Sequence, residues 1–303
     1  MWWLQINKID LSGVGVALVT PFQRDDSQSV DYAALERLLE HCISNGVNYF
    51  VVNGTTAENP VLTTEEKQQI LQFVLKITEG RIPVVFGIGG NNTNALVEEL
   101  NAFNTEGVSA VLSASPYYNK PSQEGIYQHY AALSAASTLP LIVYNVPGRT
   151  SSNISAQTTI RLAKDFGNIV AIKEASGNLD QITEILLERP EGFQVLSGDD
   201  NLTFAMMALG AEGVISVSGQ GVPEVFCAMT QHMIEGRWRQ ARAAHLSIYD
   251  LTNQLFEEGN PVGIKALLET RGITQASVRL PLVEATDNLK NALAASLKIL
   301  NLT

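Results

Sequence analysis

Lys173 ends the run Val-Ala-Ile-Lys, an amine placed behind apolar residues. An ammonium at a strand end that faces a barrel interior loses hydration, and its pKa falls. The neutral amine is the form that attacks a ketone to make a Schiff base. The competing use of such a lysine is pairing with a buried carboxylate such as Glu174, or reaching out to solvent. Tyr144 lies two strand positions away in the same layer. A phenol there can move protons at an iminium carbon, or it can be a core aromatic with its hydroxyl on backbone. Thr55 and Thr56 follow Gly54 at another strand end, where hydroxyls and backbone N–H groups hold a carboxylate or cap a helix. Arg149 follows Pro147-Gly148 and is the one arginine in the strand-end motifs after the second and the fourth to eighth strands. It suits bidentate recognition of a carboxylate, or an ion pair with a nearby acid.

These residues need elements to position them, and the sequence offers a repeating pair. Short apolar runs at Val14–Phe22, Val47–Asn53, Pro83–Ile88, Ala110–Ser115, Leu141–Val146, Ile169–Lys173, Phe193–Ser197 and Gly213–Val217 read as strands buried on both faces. Between them lie helical periods, such as Tyr32–Asn45 with Leu35, Leu38, Leu39 and Cys42 on one face, and Glu65–Glu79 with Ile70, Phe73, Val74 and Ile77. Asp31 and Thr64 are their expected start signals. Eight such units end near Gly236, which predicts an α/β fold, a (β/α)8 TIM barrel. A doubly wound sheet would show a Gly-rich phosphate turn; the nearest match, Gly87-Ile-Gly-Gly-Asn-Asn, has Asn92 in place of the third glycine. Beyond Gly236 the strand signal stops, and Arg237–Glu257, Gly263–Thr270 and Thr286–Leu300 read as helices. The expected division is therefore residues 1–236 as a barrel carrying the site and 237–303 as a C-terminal helical domain.

In such a barrel the site lies at the carboxyl ends of the strands. That rule selects the Thr55-Thr56 turn, Tyr117-Tyr118 after strand four, Tyr144 and Arg149 after strand five, Lys173 on six, Gly198-Asp199-Asp200 after seven, and Ile215-Ser216 on eight. His41, His129, His232 and His245 fall in helical segments without ligand spacing, so no metal is called for. No Gly-x-Ser-x-Gly elbow offers a serine nucleophile.

Composition removes other classes. The chain has 303 residues, 20 Lys+Arg against 31 Asp+Glu, and formal net charge −11. With no basic stripe, a nucleic-acid partner is not expected. With 45% hydrophobic and 17% charged residues the chain can bury a large core. No apolar run reaches membrane-spanning length, and the start lacks the pattern of a secretory leader. Cys42 and Cys227 are far apart and outside any Cys-x-x-Cys, so both are expected as buried packing in a reducing cytoplasm.

Five motifs carry a specific resemblance: Gly-Thr-Thr-Ala-Glu, Tyr-Tyr-Asn-Lys-Pro, Tyr-Asn-Val-Pro-Gly-Arg-Thr, Ile-Lys-Glu-Ala-Ser-Gly-Asn-Leu and Leu-Ser-Gly-Asp-Asp. Together they resemble the 4-hydroxy-tetrahydrodipicolinate synthase (dihydrodipicolinate synthase) family of the pyruvate-dependent class I aldolases, from about Val14 to the C-terminal helices. The resemblance implies a lyase without a cofactor, joining pyruvate to L-aspartate 4-semialdehyde in lysine and diaminopimelate biosynthesis. Lys173 would form the Schiff base, and Tyr144 would relay protons. Thr55 would bridge Tyr144 to Tyr118, a residue lent by a neighbouring subunit. Thr56 would bind the pyruvate carboxylate and Arg149 that of the semialdehyde, with Gly198, Asp199 and the Ile215 carbonyl lining the pocket. The implied assembly is a homotetramer, a dimer of dimers. A sister aldolase would share Lys173 and Tyr144 without needing Arg149. A catalytically idle barrel would have lost Lys173, Tyr144 or the threonines.

Two departures stand out. Ala57 occupies the place of the family's second glycine, a change expected to be tolerated where φ is negative. At the positions matching the family's lysine-inhibition site stand Asn59, Pro60, Thr64, Lys67, Asn91 and Ala95. Lys67 sets a cation where a cationic effector needs a partner, and Ala95 lacks a carboxylate, so inhibition by lysine is expected to be weak or absent.

Overall fold

The computed structural model describes residues 9–302. Trp2 and Trp3, expected to pack on the barrel floor, lie outside the described residues. Eight strands, β1 (Gly13–Ala17), β2 (Tyr49–Val52), β3 (Val84–Gly87), β4 (Ala110–Ala114), β5 (Leu141–Asn145), β6 (Ile169–Glu174), β7 (Gln194–Ser197) and β8 (Gly213–Ser216), form a closed barrel in sequence order. The (β/α)8 expectation holds: a helix or helices follow each strand, and helices alone follow Gly236. The chain divides into two compact units, Pro83–Ile215 with the segment ending at Ser12, and Gly13–Ile82 with Ser216–Thr303.

In the first unit the pairing is parallel from β3 through β8. Its strand residues are almost all buried, as a sheet sandwiched between interior and helices requires. The β5–β6 register sets the chemistry: Tyr144 pairs with Lys173 and Asn145 with Glu174. Side chains alternate across a strand, so Tyr144 and Lys173 share one face while Asn145 and Glu174 share the other. Tyr144 is thus the direct register neighbour of Lys173 on the adjacent strand, closer than the two positions expected.

In the second unit β1 and β2 pair in parallel. Strand β1 stops at Ala17, short of the expected Phe22, because the backbone finds a side chain instead of a ladder. Gln220 accepts from the Val19 N–H at 3.0 Å and donates to the Ala17 carbonyl at 2.8 Å. The helix Tyr32–Ser44 is capped by Asp31, as expected, and buries Leu35, Leu38, Leu39 and Cys42 on one stripe. The helix Thr64–Thr78 is capped by Thr63 rather than Thr64. Thr63 is extended, its hydroxyl accepts from Glu66 N–H at 3.1 Å, and the Glu66 carboxylate accepts from Thr63 N–H at 2.9 Å, a reciprocal box. The expected 237–257 helix is two, Trp238–Ser247 and Tyr249–Glu257, broken at Ile248. Cys42 and Cys227 are both buried free thiols, and burial pushes the Cys227 thiol up to about 12.

Candidate functional site

Lys173 is 6% exposed. Among the described residues its side chain makes no hydrogen bond or ion pair, and its Nζ lies 4.3 Å from the centre of the Tyr144 ring. Burial lowers its pKa to about 8; the negative charge of Asp200 opposes that shift and the positive charge of Arg149 adds to it. A cation–π contact is the weak partner of an ammonium and costs little to give up. The amine is therefore buried, partnered by a ring face only, and gives up its proton far more readily than a free lysine, which raises the share of the neutral form that a nucleophilic lysine uses.

Glu174, the carboxylate that could have neutralised it, turns to the opposite strand face. Its oxygens accept from Asn145 Nδ2 at 3.1 and 3.0 Å, Ser176 N–H at 2.7 Å and Gln181 Nε2 at 3.1 Å. Strand alternation thus removes the structural alternative for Lys173. Tyr144 is buried, and burial pushes its phenol up to about 12, with Arg149 pulling slightly the other way. The hydroxyl stays protonated near neutrality, a form that can hand on a proton where a phenolate could only accept one.

Gly198 at the end of β7 makes room for the lysine. A Cβ there would fall 2.8 Å from Ala175 Cβ, 3.0 Å from Lys173 Cε and 3.1 Å from Lys173 Cγ. Asp199 is held as a cap: its carboxylate accepts from Asn201 N–H at 3.1 Å, and burial raises its pKa. Ile215 is buried within β8. Arg149 stands exposed in the turn Pro147–Thr150 with no ion pair among the described residues, so the competing structural use for it is unfilled. Tyr118 is 87% exposed at φ 75°, its N–H directed to the Thr150 carbonyl at 3.4 Å. A large aromatic held in left-handed backbone and offered to solvent is unusual for a side chain with only a packing role.

The threonines belong to the second unit. They form the 3-10 turn Thr55–Ala57 after β2, and neither side chain caps it. Thr55 is exposed; Thr56 is buried, and its hydroxyl accepts from Asn260 Nδ2 at 2.9 Å. Ala57 sits inside the turn, and the positive φ of 60° falls on Glu58, so the added methyl is accommodated as expected. Glu58 is buried and holds the turn: Lys265 Nζ donates to Oε1, and Arg279 N–H donates to Oε2 at 2.9 Å. Lys265 also donates to the Ser277 carbonyl at 2.8 Å, and burial lowers its pKa to about 8.

The structure thus contains two desolvated lysines. Lys265 is locked by a carboxylate and a carbonyl; Lys173 is not. Lys265 is a residue the motifs do not single out, although its apolar setting, Gly-Ile-Lys-Ala-Leu-Leu, carries the same signal as Val-Ala-Ile-Lys. Asp200, a further residue the motifs leave without a role, acts on Lys173 through its charge. The four histidines all lie in helices. Among the described residues no group of three or more His, Cys, Asp or Glu is placed to hold a metal ion, and no helix is long and apolar enough to cross a membrane.

A model of the Dihydrodipicolinate synthetase family matches residues 10–300. The 4-hydroxy-tetrahydrodipicolinate synthase of Parabacteroides distasonis is 51% identical over 275 residues, covering 91% of this chain and 92% of the relative. The crystal structure of dihydrodipicolinate synthase from Aquifex aeolicus superposes with TM-score 0.92 at 41% identity, covering 96% of this chain and 99% of that one. A structure of the enzyme from Cyanidioschyzon merolae with lysine bound superposes with TM-score 0.92 at 36% identity, over 96% and 99% of the two chains.

Proposed function

The chain belongs to the dihydrodipicolinate synthetase family, and we propose that it condenses pyruvate with L-aspartate 4-semialdehyde to 4-hydroxy-tetrahydrodipicolinate, a lyase reaction leading to diaminopimelate and lysine. The observation that carries this reading is Lys173: buried, unpaired, with its pKa lowered to about 8, and in register with Tyr144. The Lys173 lone pair attacks the pyruvate C2 carbonyl, and loss of water leaves an iminium. The iminium draws electrons from the methyl group, which gives up a proton to form an enamine. The enamine carbon attacks the semialdehyde's aldehyde, and the aldehyde oxygen takes a proton. The semialdehyde's own amine then displaces Lys173 and closes the ring. Tyr144 moves the protons in both carbon steps, a contribution of roughly 10²-fold or more.

The other roles follow the family resemblance, residue by residue. Thr56 binds the pyruvate carboxylate and Arg149 the semialdehyde carboxylate, a role supported by its unpaired guanidinium. Gly198, Asp199 and Ile215 line the pocket. Thr55 links Tyr144 to a Tyr118 lent by a second copy, and the exposure of Tyr118 supports that lending. The working assembly in this reading is a homo-oligomer, a dimer of dimers, in the cytoplasm. Residues 1–236 carry the site and 237–303 form a helical domain.

Arg149→Ala tests the substrate assignment. In a coupled assay with pyruvate and a panel of aldehydes, the parent enzyme favours aspartate 4-semialdehyde. The variant should lose about 10²-fold in kcat/KM for it, the size of a removed charge-assisted pair, while pyruvate capture at Lys173 changes little. Equal loss of both would remove Arg149 from the carboxylate role, and a parent preference for a different aldehyde would favour a sister aldolase.

The expected weakness of lysine inhibition also gains support. Lys67 Nζ donates to Asn59 Oδ1 at 3.2 Å, so a cation is fixed at the matching position. Titration with lysine should leave turnover nearly unchanged through the millimolar range; strong inhibition below a millimolar would refute this.

A further inference from the structure

The loop that carries Arg149 is closed onto the strand it leaves by Asn145, while Gln123 and Gln181 hold its Asn153 from neighbouring helices. Asn145 Oδ1 accepts from Ile154 N–H at 2.9 Å, so residues 146–154 form a closed loop anchored at the end of β5. Within it the Arg149 and Thr150 N–H groups both donate to the Val146 carbonyl, at 2.9 and 3.0 Å, and the Thr150 carbonyl receives Tyr118 N–H. Asn145 therefore sets the position of the arginine and, one step further, of the exposed tyrosine.

Asn145 is itself oriented by Glu174. Both residues are fully buried, and Asn145 Nδ2 faces the two carboxylate oxygens. Gln181 completes the ring: it donates to Glu174, and it accepts from Asn153 Nδ2 at 2.8 Å. Every group facing Glu174 here is an N–H donor, so an acceptor-only carboxylate is what the arrangement demands. It fixes which way the Asn145 amide points, and with it which atom meets Ile154 N–H. Glu174 follows Lys173 in sequence and lies on the opposite strand face, so this ring leaves the amine untouched.

We infer that Glu174, acting through Asn145, is a positioning residue for recognition of the second substrate: it holds the 146–154 loop so that Arg149 meets the carboxylate of the semialdehyde. This rests on the reaction proposed above. It separates two jobs on adjacent residues of β6, Lys173 capturing pyruvate and Glu174 serving the aldehyde partner.

Reciprocal exchange tests it. Glu174→Gln sets an amide donor against donors, and the KM for aspartate 4-semialdehyde should rise about tenfold, the worth of one charge-assisted hydrogen bond, while borohydride trapping of pyruvate stays within about threefold of the parent. Asn145→Asp combined with Glu174→Gln restores one donor facing one acceptor and still accepts from Ile154 N–H. This double variant should recover part of the lost KM, since Asn153 Oδ1 still loses the donor it has in Asn145 Nδ2 at 2.9 Å; a general loss of packing would recover none. Gln181→Met, a milder change at a half-buried position, should raise the same KM about threefold and decides the matter should Glu174→Gln fold poorly. Equal loss of trapping and of semialdehyde use, or no recovery in the double variant, overturns the positioning role. A parent enzyme that traps no pyruvate overturns the reaction itself, and this inference with it.

Discussion

Borohydride reduction in the presence of pyruvate should fix one pyruvate-derived group on the peptide holding Lys173 and none on the peptide holding Lys265. Both amines are buried with pKa values lowered to about 8, so desolvation alone does not choose between them. The choice lies in their partners. Lys265 would have to leave Glu58 and the Ser277 carbonyl to attack, whereas Lys173 leaves only the face of Tyr144. Imine formation uses the neutral amine, whose share falls about tenfold per pH unit below the pKa. The rate of capture should therefore climb as pH rises toward about 8 and level off above it. Lys173→Met should remove the adduct and lower turnover roughly 10³-fold or more, as loss of a nucleophile does. Thermal stability should hold or rise, because the fold disfavours the charge it loses. An adduct on Lys265, or a capture rate flat between pH 6 and 8, would defeat the Schiff-base assignment.

Lys265→Met should be the most damaging change outside the active residues. It leaves Glu58 in an interior site without its cation, and breaking a buried pair on one side costs about 3–5 kcal/mol. Combining it with Glu58→Gln removes the stranded charge as well, and most of the loss should return, read as the midpoint of urea unfolding. The single variant should also lose pyruvate capture, since Glu58 closes the turn that carries Thr55 and Thr56. The double variant should regain stability ahead of capture, because the amide replacing the Glu58 carboxylate can still accept from Arg279 N–H while the turn lacks its bond to Lys265. Equal destabilisation by the single and double variants would mean that volume, not charge, is what Lys265 contributes.

Much of the candidate site is legible in the sequence alone. Lys173, Tyr144, Thr55, Thr56, Arg149 and Gly198 all fall at strand ends, which apolar periodicity marks without help. Where reading fell short, a side chain competed with a local pattern. Val14–Phe22 looks like one long strand, yet Gln220 captures the backbone after Ala17. Thr64 and Thr63 are equally good caps by type, and only the reciprocal bond with Glu66 selects Thr63. Lys265 is not legible in sequence because its partner is not the nearby Glu269, four residues on, but Glu58, which comes from a distant turn.

The sequence by itself determined the succession of strands and helices, the residue types at the strand ends and the family motifs, because each is written in periodicity or in short runs of neighbours. Tertiary structure decided which of two desolvated lysines is left without a salt bridge. It also decided that Glu174 faces away from Lys173, and that the asparagine beside Tyr144 closes the Arg149 loop. These depend on strand register and on partners far apart along the chain. A one-residue slip would exchange the two faces of β6 without changing a letter of the sequence.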